Sequence, residues 1–319
     1  MSLIFEDDVP LVSIFLPTYN HKVFIAECLE SCIAQDYPNI QIVVGDDGSD
    51  DGTDEVAREF QARYPNKIIF TRFDVNQGIT ANANQVLDLC TGEFIAFTSG
   101  DDILFPNKLS RQVAFMQANP RVVICYHDVE CYEQVSGKVI YKYSDRFPMA
   151  VGSLSHLVRA KVFFAGNSVM MRRRSAPPNG FDTRIRHSSD WLFFMEALMK
   201  EGAPQQGIAF VPEILGRYRR HSGNKTGQTY EYGLPEALKT LDIAAKRAPA
   251  YRTLVRRAMA ERLLTQSVKD FLKGRPATAL GHFSQGIATS PFFGPLLFAS
   301  NLTHYLNYRI IAFCNRRRR

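Results

Sequence analysis

The chain lacks the signatures of several large functional classes. Its six cysteines, at positions 28, 32, 90, 125, 131 and 314, form no CxxC pair and no Cys/His ligand spacing, which argues against structural zinc. Cys28 and Cys32 stand one helical turn apart, and free thiols in a reducing cytosol are the expectation. No GxGxxG follows the first apolar run, where "LPTYNH" stands instead, so a dinucleotide-binding turn is disfavoured. No GxxxxGK[ST] occurs, which excludes a P-loop. The GxSxG elbow of serine hydrolases is missing too, because "GNSVM" at 166–170 has no closing glycine. The apolar run "PLVSIFLP" is too short for a secretory leader. A basic body is also absent: the formal charge is +6, but removing the four arginines of the final "NRRRR" leaves 38 − 4 = 34 Lys and Arg against 32 Asp and Glu. A nucleic-acid-binding protein carries its excess over one face of the body, not in a tail.

What is present reads as a soluble globular protein. The 319 residues are 45% apolar and 22% charged, enough for one large α/β domain with an appendage, or for two domains. Short β-branched runs at 11–16, 40–46, 67–73 and 92–98 alternate with helical stretches at 23–35, 53–64 and 80–90. Strand–helix alternation of this length predicts parallel strands joined by right-handed crossovers, hence a doubly wound sheet. A helix is expected over 106–119 with Pro106 in its first turn, further strands in "RVVICYHDVECY", and a strong helix over 190–202. The "RRR" run at 172–174 reads as a solvated strand end. From about residue 233 the pattern is wholly helical.

Doubly wound sheets bind ligands beyond the carboxyl ends of their strands, and here those ends are acidic. Strand one ends in "PTYNH", strand two in "GDDGSDDGT" and strand four in "SGDD". Asp, Gly and Ser are ordinary turn residues, and Thr53 is placed to cap the helix that follows. A calcium loop starting at Asp47 fails, because its twelfth position is Arg58 rather than a bidentate glutamate. A shared ligand explains acids at three strand ends better than turns do. Carboxylates accept from a nucleobase N–H, and a divalent cation, Mg²⁺ or Mn²⁺, screens them from a diphosphate.

Two blocks, "VSIFLPTYNHKVFIAECLESCIAQDYPNIQIVVGDDGSDDGT" and "NQGITANANQVLDLCTGEFIAFTSGDDILFPNKLSRQV", occur in this order over residues 11 to about 125. Together the chain closely resembles the family 2 glycosyltransferases, with a looser match to about residue 225. The resemblance implies a GT-A fold: a doubly wound, mostly parallel sheet flanked by helices. That domain is expected over 1–230, its nucleotide-binding part at about 10–125 and its acceptor part at about 126–230. Residues 231–319 form a helical extension with a basic tail. The resemblance also implies an inverting, metal-dependent, hexosyl-type transferase using a nucleotide-diphosphate sugar and a saccharide or lipid-linked acceptor.

Roles follow from the matched positions. Pro17, Thr18 and Tyr19 would line the base and ribose, and Asp47 would accept from the base, with Asp46 supporting the turn. Gly78 would let the backbone approach the nucleotide. Asp101 and Asp102 match the family's DxD-type pair, with Asp102 expected as the direct metal ligand and Asp101 shared with the nucleotide. Ser99 stands where many members have a further aspartate. Asp190 of "RHSSDWLFF" would be the general base, or else a helix cap. In "GRYRRHSGNKTG", His221 is either a third metal ligand or a surface histidine, and Arg217 and Arg219 are candidates for the diphosphate. The segment "FFGPLLFASNLTHYLNYRIIAFC" is too interrupted to span a bilayer. With "NRRRR" it reads either as an interfacial helix on an anionic leaflet or as a packed helix with a loose basic end. The first would put the enzyme at the inner face of the cell membrane, among surface polysaccharide or glycolipid acceptors; otherwise it is cytoplasmic. A GT-A-like nucleotidyltransferase is disfavoured because "PTYNH" is not its Gly-rich loop. A non-catalytic sugar-nucleotide-binding relative would be expected to lack the acids.

Overall fold

The computed structural model describes residues 9–147, 149, 151–160, 162–224 and 233–294. The chain divides into two compact units, residues 1–229 and 230–319. In the first, β1 (Val12–Thr18), α1 (Lys22–Ile33), β2 (Ile40–Asp46), α2 (Thr53–Arg63), β3 (Ile68–Arg72), α3 (Ile79–Leu89) and β4 (Phe94–Phe97) follow one another as the apolar periodicity predicts. Then come β5 (Ile103–Leu104), α4 (Lys108–Ala118), β6 (Ile124–Glu133), β7 (Lys138–Lys142), α5 (Leu154–Ala160), β8 (Val169–Arg172), α6 (Ser189–Lys200) and β9 (Ile208–Arg220). Pro106 precedes α4 rather than entering it, and Asn107 occupies the N-cap position.

Among the described residues nine strands form one sheet, in the order β3-β2-β1-β4-β8-β6-β9-β5, with β7 paired to β6. The β1–β2, β2–β3, β1–β4 and β6–β9 ladders are parallel. The antiparallel strand β8 sits between β4 and β6, a placement that local periodicity does not reveal. Both faces are covered. On one, Val12, Ile14 and Leu16 of β1 pack with Ile25 and Leu29 of α1, Phe60 of α2 and Leu109 and Val113 of α4. The alternate residue Phe15 points to the other face, where its ring lies 4.8 Å from Phe97, and Phe97 in turn lies 5.6 Å from Phe194 of α6. That period-two split is what a sheet buried on both sides requires.

Arg172 departs from the solvated strand end expected of its run. It is buried, its Nε donating to the Val122 carbonyl at 2.9 Å and its Nη2 to the Met116 carbonyl at 2.7 Å. A buried guanidinium needs such acceptors, and the Met116 carbonyl in the last turn of α4 serves it together with the Asn119 N–H. The second unit holds α7 (Gly233–Arg247), α8 (Arg252–Leu272) and α9 (Pro276–Thr289), and no strand among its described residues. No described helix is long and apolar enough to cross a membrane. The tail "NRRRR" and most of the segment before it lie outside the described residues.

Candidate active site

The carboxyl ends of β1, β2 and β4 lie side by side, so their following turns meet at one rim. After β2, most of the acidic cluster is committed to backbone amides. Asp46 is fully buried and accepts from the Ser49 N–H at 2.9 Å and the Ser49 hydroxyl at 2.5 Å. Asp51 starts α2 in place of the Thr53 cap foreseen: its Oδ1 accepts from the Thr53 N–H at 2.9 Å, and its Oδ2 from the Lys22 N–H of α1 at 3.0 Å. Asp47 reaches across the rim, its two oxygens accepting from the Gln77 N–H at 2.8 Å and the Gly78 N–H at 3.0 Å. Gly78 holds a φ of 92°, a backbone state that residues with a Cβ rarely adopt.

The loop that Asp47 grips leads directly into α3, and α3 touches the start of α6. The Thr80 hydroxyl donates to the Ile185 carbonyl at 3.0 Å and lies 3.2 Å from the Ser189 hydroxyl. Asp190, the next residue, is exposed in the first turn of α6, two residues beyond the N-cap position. Ser188 holds that position without a side-chain cap hydrogen bond. The candidate base and the candidate nucleotide loop are therefore joined through one threonine.

After β4 the adjacent carboxylates part company. Asp101 Oδ2 lies 3.0 Å from His221 Nε2 and 3.9 Å from His21 Nε2, and accepts from the Asn224 side-chain amide at 3.2 Å. Its Oδ1 accepts from the Ser99 hydroxyl at 2.6 Å, so the serine that replaces the family's extra aspartate serves this carboxylate. Burial alone would raise the Asp101 pKa, but the His221 hydrogen bond, the His21 charge and the Ser99 hydroxyl outweigh it and hold the carboxyl below its usual range. Asp102 points the other way. It is buried, accepts from the Arg219 backbone N–H at 3.0 Å, and is pushed well above the usual carboxylate range by burial and by the Asp101 charge, against the pull of Arg219 and Lys108. Two like charges side by side are tolerable because one is exposed to imidazoles and the other is drawn towards its neutral form.

His21, Asp101 and His221 offer one ligand atom each, all within 4.8 Å of one another. Two imidazoles and one carboxylate form a donor set suited to a divalent first-row transition ion rather than to Mg²⁺ or Ca²⁺. The Thr18 hydroxyl lies 3.1 Å from His21 Nδ1, a contact of the kind that orients a ligating ring. Gly100 permits the approach: a Cβ there would collide with the Thr18 hydroxyl and stand 2.9 Å from His21 Nδ1. Sequence reasoning missed His21; its only signal was its place in "PTYNH" at the end of β1. Pro17 and Tyr19 are half-buried at the same strand end. Of the two arginines assigned to a diphosphate, Arg217 donates to Glu130 at 2.8 Å, and Arg219 is only 2% exposed, its guanidinium spent on protein acceptors.

A mostly parallel sheet, covered on both faces and carrying its polar cluster at the strand ends, is the architecture of GT-A glycosyltransferases. It superposes on Staphylococcus aureus TarS 1–349 in complex with UDP with a TM-score of 0.61 at 20% identity, covering 97% of this chain and 92% of that one. Mannosyltransferase PcManGT from Pyrobaculum calidifontis, in complex with GDP-Man and Mn²⁺, gives a TM-score of 0.56 at 20% identity over 94% of this chain and 82% of that one. The model of glycosyl transferase family 2 matches residues 13–199, and the chain belongs to that family. It is 37% identical over 218 residues to the putative glycosyltransferase EpsE of Bacillus subtilis (strain 168), a match spanning 67% of this chain and 77% of EpsE. It is 33% identical over 224 residues to an uncharacterized glycosyltransferase of Rickettsia typhi, spanning 68% of this chain and 66% of that protein.

Proposed function

We propose that this protein is an inverting, metal-dependent glycosyltransferase that moves a sugar from a nucleotide-diphosphate donor to an acceptor hydroxyl, in surface polysaccharide or glycolipid assembly. The observation that carries this reading is the meeting, at one rim, of the Asp47-clamped loop, the His21–Asp101–His221 cluster and the turns that lead to Asp190. The superposed proteins add support, since TarS forms complexes with UDP and UDP-GlcNAc, and PcManGT with GDP-Man and Mn²⁺.

Each group has one task under this reading. Pro17, Thr18 and Tyr19 line the base and ribose, Asp47 accepts from the base, and the Gly78 backbone approaches the nucleotide. His21, Asp101 and His221 would hold the cation, and Asp102 ties their turn to β9 through the Arg219 N–H. A divalent transition ion such as Mn²⁺, when bound there, would supply positive charge against the leaving diphosphate. Asp190 takes the proton of the acceptor hydroxyl as that oxygen attacks the anomeric carbon. Because nucleophile and leaving group occupy opposite faces of the sugar, one displacement inverts the configuration.

Thermal unfolding with a panel of UDP, GDP and TDP sugars, with and without Mn²⁺, tests the reading, since a ligand of the native state raises its midpoint. One donor should raise it more with Mn²⁺ than without; no shift from any donor overturns the proposal. Asp47→Ala should weaken that donor by about tenfold or more, because two amide donors lose a charged acceptor. Turnover at saturating donor should change far less. Equal donor affinity in wild type and variant removes Asp47 from the nucleotide site.

Contact with an anionic membrane surface is part of the same proposal. Phe271, Leu272 and Leu280 are exposed around the turn between α8 and α9, beside exposed Lys273 and Arg275. No acidic residue follows Asp270 in the sequence. Salt-sensitive cosedimentation with phosphatidylglycerol vesicles, absent with phosphatidylcholine alone, is the expected result; equal behaviour with both removes the contact.

A further inference from the structure

We propose that Arg219 is the positioning residue of the cation site, a role that rests on the metal reading given above. Its side chain spends its directional capacity on three different parts of the fold. Nε donates to the Asp101 main-chain carbonyl at 2.7 Å, Nη2 donates to Glu27 of α1 at 2.5 Å, and Nη1 donates to the Gln134 side chain beyond β6. Its own backbone N–H holds the Asp102 carboxylate at 3.0 Å. One residue thus grips both members of the acidic pair, one through its carbonyl and the other through its side chain. With Asp101 O and Asp102 Oδ1 tied down, the Asp101 carboxylate is left facing His21 and His221.

The same guanidinium also bears on the imidazoles. It lies 5.1 Å from the centre of the Phe24 ring and 5.6 Å from that of Tyr132. Phe24 in turn packs 4.6 Å from the His221 ring and 6.3 Å from that of His21. Arg219 therefore underlies all three donor groups while touching none of their ligand atoms. A planar fork with fixed donor directions is needed for this; the point charge of lysine cannot reach Asp101, Glu27 and Gln134 at once. Groups that orient metal ligands from behind are worth about 10–100-fold in metal affinity when removed.

Mn²⁺ binding to the full chain without nucleotide, followed by electron paramagnetic resonance, tests the proposal. Arg219→Gln and Arg219→Lys should each weaken Mn²⁺ by about 10–100-fold, with metal-free binding of whichever of the UDP, GDP and TDP sugars shifts the wild-type midpoint unchanged. Glu27→Gln, at the exposed end of the brace, should weaken Mn²⁺ less, and Arg220→Gln should not weaken it. A purely structural arginine would lower the unfolding midpoint and leave the Mn²⁺ affinity of the folded fraction alone. Wild-type affinity in folded Arg219→Gln overturns the proposal. If that variant does not fold, wild-type affinity in both Arg219→Lys and Glu27→Gln overturns it equally. Absence of Mn²⁺ binding by the wild type overturns the metal reading, and this role with it.

Discussion

Asp190→Asn is expected to lower turnover by about 10²–10⁴-fold, the usual worth of a general base, with little change in donor affinity. The substitution keeps size and keeps an oxygen that can accept from the Trp191 N–H, now at 2.7 Å. What it removes is the capacity to take a proton. The competing role is stabilisation of the helix start. Asp190 does lie in the first turn of α6, where a carboxylate is worth about 0.3–1 kcal/mol against the helix dipole. Asparagine keeps the acceptor for the Trp191 N–H, so the substitution gives up only the charge at the helix start. Turnover should therefore collapse while the unfolding midpoint barely moves. Steady-state kinetics alongside thermal unfolding decides the matter: near-normal turnover in the folded variant refutes the base assignment.

The second large effect separates two neighbours. Asp101→Asn should abolish most Mn²⁺ affinity and reduce turnover by about 10²–10⁴-fold, because charge stabilisation by a cation is worth several kcal/mol. Asp102→Asn should leave Mn²⁺ affinity within a few-fold. Asparagine retains an acceptor for the Arg219 N–H, and the Asp102 carboxyl is already pushed towards its neutral form by burial and by Asp101. Its cost should fall on stability, at about 1–3 kcal/mol for a disturbed buried acceptor. Retained Mn²⁺ binding in the Asp101 variant, together with its loss in the Asp102 variant, would restore the order expected from the motif alone.

That order shows where sequence reasoning stopped. Asp47 was marked from "DDGSDDGT", and the structure has it gripping the loop before α3. Its neighbours in that run, Asp46 and Asp51, turn out to hold Ser49 and the start of α2, as ordinary turn and cap groups do. The idea that all the rim acids serve one cation was too broad; only Asp101 among them faces two imidazoles. Arg219 is a diphosphate candidate only through the resemblance of "GRYRRHSGNKTG" to the family's loop, and a matched position does not say what the fold packs around its side chain. His21 carried no signal beyond its neighbours, since its partner Asp101 is 80 residues away in the chain.

The succession of strands and helices was determined by the sequence alone, because apolar spacing of two or about 3.6 residues is a local property that each segment displays by itself. The family motifs, and with them the class of chemistry, were likewise present in the chain as written. Tertiary structure alone decided that antiparallel β8 enters between β4 and β6. It also decided which of Asp101 and Asp102 faces the imidazoles, and that Arg219 is consumed from within. The last two outcomes depend on the surroundings that Phe24, Glu27, Gln134 and His221 create around the turn. Two adjacent aspartates share a sequence position in all but number; their charges are set by what the fold brings to each.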